Sequence, residues 1–145
     1  MSMHKAFSLF AIPALAILIA VPAGADSPSL ESSKAEARKL FEVVLNRDKW
    51  DLYQEIHARG FVAHAGKKTA GLSEDLQSAK EWRKAFPDGT YTVDRVVAED
   101  DMVVVQYTER GTNTGSGNGI PITGKRVEVT GVTIFGSALF CVGKG

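Results

Sequence analysis

The back half of the chain constrains its fold most. From Tyr91 to Phe135 it runs as three strand-forming segments, separated by one charged turn and one glycine-rich loop. Tyr91–Ala98 is rich in β-branched residues, and Glu99-Asp100-Asp101 makes a polar turn. Met102–Arg110 (MVVVQYTER) is the strongest strand signal in the sequence. Gly111–Gly124 holds five glycines and Pro121, which predicts a long loop or a wide hairpin connection. Lys125–Phe135 alternates again. Arg126, Glu128, Thr130, Val132 and Ile134 fall on one face, opposite Val127, Val129 and Phe135.

Helical spacing precedes the strands. Ser33 and Glu36 stand at capping-box distance, and Ala37, Leu40, Phe41 and Val44 recur on one stripe. Asp48 is placed to cap a second helix carrying Leu52, Tyr53 and Ile56, which Gly60 ends. Phe61–Ala65 reads as a short strand between glycines. A third helix is predicted from Ser73, with Glu74 and Asp75 at its positive end, through Leu76, Ala79 and Trp82, until Pro87 stops it near Phe86. Three helices followed by a run of antiparallel strands predict an α+β domain, with the helices packed on one face of the sheet.

Charge and composition narrow the function classes. Seventeen Lys and Arg offset seventeen Asp and Glu, so no basic footprint for nucleic acid exists. A hydrophobic fraction of 44% excludes a disordered chain. The single cysteine, Cys141, excludes an internal disulfide framework and a cysteine-rich metal site. The three histidines, His4, His57 and His64, show no ligand-cluster spacing, so no metal is expected.

Residues 1–25 (MSMHKAFSLFAIPALAILIAVPAGA) have the layout of a signal peptide: Lys5, an apolar run from Ala6 to Val21, and Ala23-Gly24-Ala25 as a small-residue cleavage pattern. An uncleaved anchor is the competing reading, because Ala6–Ala25 carries no charge and approaches bilayer-spanning length. Pro13 and the small-residue end favour cleavage. The expected organisation is a signal peptide over 1–25, a flexible leader over 26–31 and one domain over 32–145. The expected location is periplasmic or secreted, without membrane attachment after cleavage.

The order of motifs from Asn46 onward resembles the SnoaL-like polyketide cyclase family, whose bacterial members include ester cyclases. The resemblance is carried by Phe86-Pro87-Asp88, the AEDDMVVV stretch from Ala98, Gly111-Thr112, Gly119-Ile120-Pro121 and Thr123-Gly124-Lys125. It spans about Ala35 to Phe135. It implies the cone-shaped α+β fold shared with nuclear transport factor 2 and ketosteroid isomerase, in which a curved sheet wraps onto helices around an apolar pocket. It also implies cofactor-free acid–base chemistry on a polyketide-like carbonyl compound, and dimers formed through the outer sheet face.

Three departures from that family stand in the sequence. The family's Gly-Thr-His-x-Gly reads here Gly111-Thr112-Asn113-Thr114-Gly115, and an amide cannot shuttle a proton near neutral pH. The catalytic Asp that the polyketide cyclases carry after the Thr-Gly-Lys turn is absent from Val127–Thr130, where Glu128 is the only carboxylate. The end, GSALFCVGKG, lacks the family's usual closing strand, so an incomplete C-terminal strand is expected.

His64 and Glu128 are the expected acid–base pair, although His64 also fits a half-buried strand histidine bonded to a backbone carbonyl. Gln106, Thr108 and Arg110 alternate on one strand face, which suits a pocket floor or a solvent-facing stripe. Gln106, Arg110 and Asn113 are the expected polar substrate contacts, and Trp82 and Phe86 either apolar contacts or plain core. His57, near a helix end, reads as a cap whose protonated imidazole complements the helix dipole. Two functions compete: a cofactor-independent cyclase or isomerase of a small apolar carbonyl compound, and a non-catalytic periplasmic binder of a hydrophobic ligand. A third reading is a remnant whose shortened end prevents folding.

Overall fold

A computed structural model describes residues 29–136. The signal-peptide pattern, most of the leader, Cys141 and the expected short final strand lie outside these residues. The first helix, α1, spans Leu30–Lys39 and starts one turn before the position expected from Ser33 and Glu36. Ser29 is the cap: its Oγ accepts the Ser32 amide at 3.1 Å. Ser33 is consequently inside the helix, 1% exposed, with its hydroxyl unpartnered among the described residues.

The helix runs on through Leu40–Leu45 as a π-helical stretch, in which the Asn46 amide reaches back to the Phe41 carbonyl. No feature of the sequence had signalled this widened turn. Asp48 does not cap the next helix. It adopts φ 53° in the connecting turn, and Lys49 precedes α2, Trp50–Ile56. Two short strands, β1 (Val62–Ala65) and β2 (Lys68–Gly71), form an antiparallel hairpin with His64 opposite Thr69. The second of these strands was not expected. The long helix α3, Leu72–Ala85, begins where the Glu74 carboxylate accepts the Gly71 amide at 3.3 Å.

The remaining strands are β3 (Thr90–Glu99), β4 (Met102–Thr112) and β5 (Arg126–Gly136), antiparallel and in that spatial order. The alternation seen in the sequence fixes their faces. Val103, Val105, Tyr107 and Glu109 of β4 point inward, and Val103 and Val105 are among the most buried residues. Asp94 bulges out of β3, and its carboxylate accepts the Thr108 hydroxyl at 2.7 Å. The core closes where Ala37, Leu40, Phe41 and Val44 meet Val103, Val105 and Phe135. The whole is an α+β domain whose three-stranded sheet is not closed into a barrel.

The glycine-rich loop between β4 and β5 lies flat on α3. A Cβ on Gly115 would stand 1.9 Å from the Lys84 carbonyl oxygen, and one on Gly117 1.9 Å from that of Glu81. Those two glycines therefore serve close backbone approach.

Candidate functional site

The π-helical stretch, α2, β1, α3 and the sheet line a cavity of about 570 Å³ that is open to solvent past the exposed Val62, Val132 and Ile134. That volume suits a small organic molecule. Leu40, Phe41 and Leu45 of the π-helical stretch form part of its wall, and Tyr91, Tyr107, Thr133 and Phe135 supply the sheet side. Phe41 is the centre of an aromatic cluster, with its ring 4.7 Å from Tyr107, 5.9 Å from Tyr91 and 6.4 Å from Phe135. Tyr107 can lie against β5 because its strand neighbour is Gly131, where a Cβ would come within 2.6 Å of the phenol ring.

On the helical side the polar groups are Tyr53, His57 and Asp75. His57 ends α2 and is 6% exposed. Its ring packs 4.5 Å from Tyr53 and 4.6 Å from Phe61. Nδ1 lies 2.5 Å from the Tyr53 carbonyl, which can only accept, so Nδ1 carries the hydrogen and Nε2 keeps its lone pair. Burial holds the imidazole below its ordinary pKa, against smaller opposing effects of that hydrogen bond and of Asp75. His57 caps the end of α2 through this hydrogen bond, but as a neutral ring in the cavity wall rather than as the charged imidazole expected to complement the helix dipole.

Tyr53 donates its hydroxyl to the Asp75 carboxylate in the first turn of α3. Burial first, and then that carboxylate, push the phenol far above its ordinary pKa, so it remains protonated. Tyr107 is hydrogen-bonded to Thr133, and its pKa is also raised by burial.

Of the residues expected from the sequence, His64 is the one that lines this cavity, from the exposed strand β1. Glu128 stands on the outer sheet face, held by Arg110 at 2.9 and 3.3 Å. Gln106 shares that outer face, across from Val132. The same strand alternation that buries Val103 and Val105 turns Gln106, Thr108 and Arg110 away from the helices.

Asn113 is 2% exposed and has no bonding capacity to spare. Its amide group donates to the carbonyls of Ala85 and Gly115, at 3.2 and 3.0 Å. Its oxygen accepts the amide and hydroxyl of Thr123, each at 2.8 Å. Trp82 and Phe86 stack at 4.5 Å beside two water-sized voids rather than in the cavity. Trp82 donates its indole N–H to Glu109, which Tyr91 also bonds. Burial raises the Glu109 pKa despite those donors. Among the described residues no cluster of three or more His, Cys, Asp or Glu is placed to hold a metal ion.

The family model of the SnoaL-like polyketide cyclases matches residues 35–138, which take in the helices, the sheet and the cavity lining described above. The chain belongs to the SnoaL-like polyketide cyclase family. A Jannaschia sp. CCS1 protein designated a SnoaL-like polyketide cyclase is 25% identical, with a TM-score of 0.66 over 78% of this chain and 82% of that one. AclR of Streptomyces galilaeus, designated a hydroxylase, is also 25% identical, with a TM-score of 0.65 over 80% and 71%. A LEH-like epoxide hydrolase of M. tuberculosis, 12% identical over 75% of each chain, shares the fold at a TM-score of 0.55. No curated protein matches. For this SnoaL-like chain the relatives agree with a nuclear-transport-factor-2-like architecture, as the resemblance in its sequence implied.

Sequence reasoning assigned no functional role to Asp75, Tyr107 or Thr133 and gave His57 only the cap. The available signal was His57 itself, four residues after Tyr53 and four before Phe61, a spacing that brings three rings together at a helix end.

Proposed function

We propose that this SnoaL-like protein holds a small, mostly apolar carbonyl compound in the cavity and moves a proton on it. The observation that carries this reading is a neutral His57 imidazole, with a free Nε2, in the wall of an aromatic cavity of about 570 Å³. Nε2 takes the proton from carbon next to the carbonyl, which a buried neutral imidazole does near neutral pH. The Tyr107 hydroxyl, held by Thr133, donates to the carbonyl oxygen as negative charge develops there. His64 stands at the exposed rim and contacts the ligand as it enters. Gln106, Arg110, Glu128 and Asn113 have no part in this reading. Ring closure and double-bond isomerisation both begin with that proton abstraction.

The test is deuterium exchange at the carbon next to the carbonyl in a panel of aromatic ketones, followed by NMR. Enzyme-dependent exchange that is lost in His57→Gln and kept in His64→Ala supports the assignment. Binding of the ketones without exchange would leave the family scaffold acting as a carrier. The same proposal includes export: the protein purified from the periplasmic fraction of a Gram-negative host is expected to begin at Asp26.

A further inference from the structure

The charge of the cavity is one-sided. Asp75 is the one Asp, Glu, Lys or Arg among its described lining residues, and none of the described ion pairs involves it. Its Oδ2 is taken by the Tyr53 hydroxyl, which solvates the carboxylate without neutralising it. The first turn of α3 explains how the protein tolerates this charge, since free amides at a helix start favour an anion. It does not supply a counter-charge. Beside Asp75 the Tyr53 ring lies tilted against His57 at 4.5 Å and Phe61 meets His57 edge to face at 4.6 Å, and the same cavity is lined by Phe41 and Tyr107.

We infer that the ligand of this cavity carries a protonated amine on an apolar, ring-bearing body, with the ammonium seated between Asp75 and the aromatic faces. This deepens the proposed function, on which it rests, by naming the charge of the molecule bound. An ammonium leaving water regains a carboxylate and aromatic faces, and cation–π attraction strengthens once the site is desolvated. A carboxylate entering the same space loses its water, finds no cation and faces Asp75. A neutral molecule pays neither cost and gains neither contact. Affinity therefore falls in the order amine, neutral, acid.

The experiment uses the full chain and three probes with one body: 2-naphthylmethylamine, 2-naphthylmethanol and 2-naphthoic acid, titrated calorimetrically at pH 7.5. The amine is expected to bind at least about tenfold more tightly than the alcohol, and the acid more weakly than either. Asp75→Asn, which keeps an oxygen for Tyr53, is expected to bring the amine to the affinity of the alcohol and leave the alcohol unchanged. Tyr53→Phe keeps the carboxylate and is expected to keep the preference, which covers the case in which Asp75→Asn fails to fold. An acid that binds as tightly as the amine, or an amine preference that survives Asp75→Asn, overturns the inference. Binding of the alcohol with no charge preference overturns the inference and leaves the proposed cavity function standing. No binding of any probe overturns both.

Discussion

Across the paired strands β4 and β5, the Arg110 guanidinium grips the Glu128 carboxylate, Nε to Oε2 at 2.9 Å and Nη2 to Oε1 at 3.3 Å. Both residues stand on the face turned away from the helices. Glu128 has 63% of its side chain exposed and Arg110 39%, so solvent screens the pair and it adds less than about 1 kcal/mol. Glu128→Gln is therefore expected to leave proton exchange and cavity binding at wild-type levels and to shift the melting temperature only slightly. Loss of exchange in a folded Glu128→Gln protein would return this carboxylate to the chemistry.

Asn113 makes four side-chain hydrogen bonds from a site that is 2% exposed. Truncation leaves the Gly115 carbonyl and the Thr123 groups without these partners and unpins the loop from α3. Asn113→Ala is expected to cost about 2–4 kcal/mol, read as the drop in chemical-denaturation stability. Binding in the cavity, measured well below the melting temperature, is expected to change little, because Asn113 has no free group to offer a ligand. A stable variant with weakened binding would contradict that division.

The fold was legible because its signals are local and repeated. Alternation over Met102–Arg110 and Lys125–Phe135 set the sheet faces, and the stripe Ala37, Leu40, Phe41, Val44 set the buried side of the first helix. The site was harder to read because its polar groups meet through tertiary packing. Tyr53 and Asp75 lie on different helices, and Tyr107 and Thr133 on different strands, so no spacing in the chain announces either pair. Ser33 misled for a related reason. It has the right spacing for a cap, but Ser29 offers one a turn earlier, and the helix takes the extra length. The five loop glycines carried a signal of close approach, yet nothing local says that the surface approached is α3.

Gly131 and Tyr107 provide a test of the cavity wall. A methyl group at Gly131 would meet the Tyr107 ring at 2.6 Å, so Gly131→Ala pushes the phenol toward the cavity and away from Thr133. The expected cost is about 1–3 kcal/mol of stability, with weaker ligand binding. In a Tyr107→Ala background the clash is gone, and the same glycine substitution is expected to cost much less. A double-mutant cycle by thermal denaturation separates the two cases. Additive effects would show that β5 absorbs the methyl group by moving as a strand.

Two buried groups set opposite slopes in the pH dependence of stability. His57 has its pKa held down in the folded chain, chiefly by burial, so below about pH 6.5 the unfolded chain takes a proton that the folded chain refuses. Stability contributed this way is present above that pH and is lost as pH falls toward the folded value. Glu109 is the reverse. Burial raises its pKa, so from the ordinary carboxylate value upward the folded chain holds more protons, and stability falls as pH rises through that window. Melting temperatures between pH 4 and pH 8 distinguish the two. His57→Gln is expected to flatten the loss below pH 6.5. Glu109→Gln, whose amide oxygen still accepts from Trp82 and Tyr91, is expected to melt higher than wild type at pH 7 and to lose that advantage on acidification. Unchanged slopes in His57→Gln would mean that the imidazole titrates alike in the folded and unfolded chains, and that burial does not hold it neutral below pH 6.5.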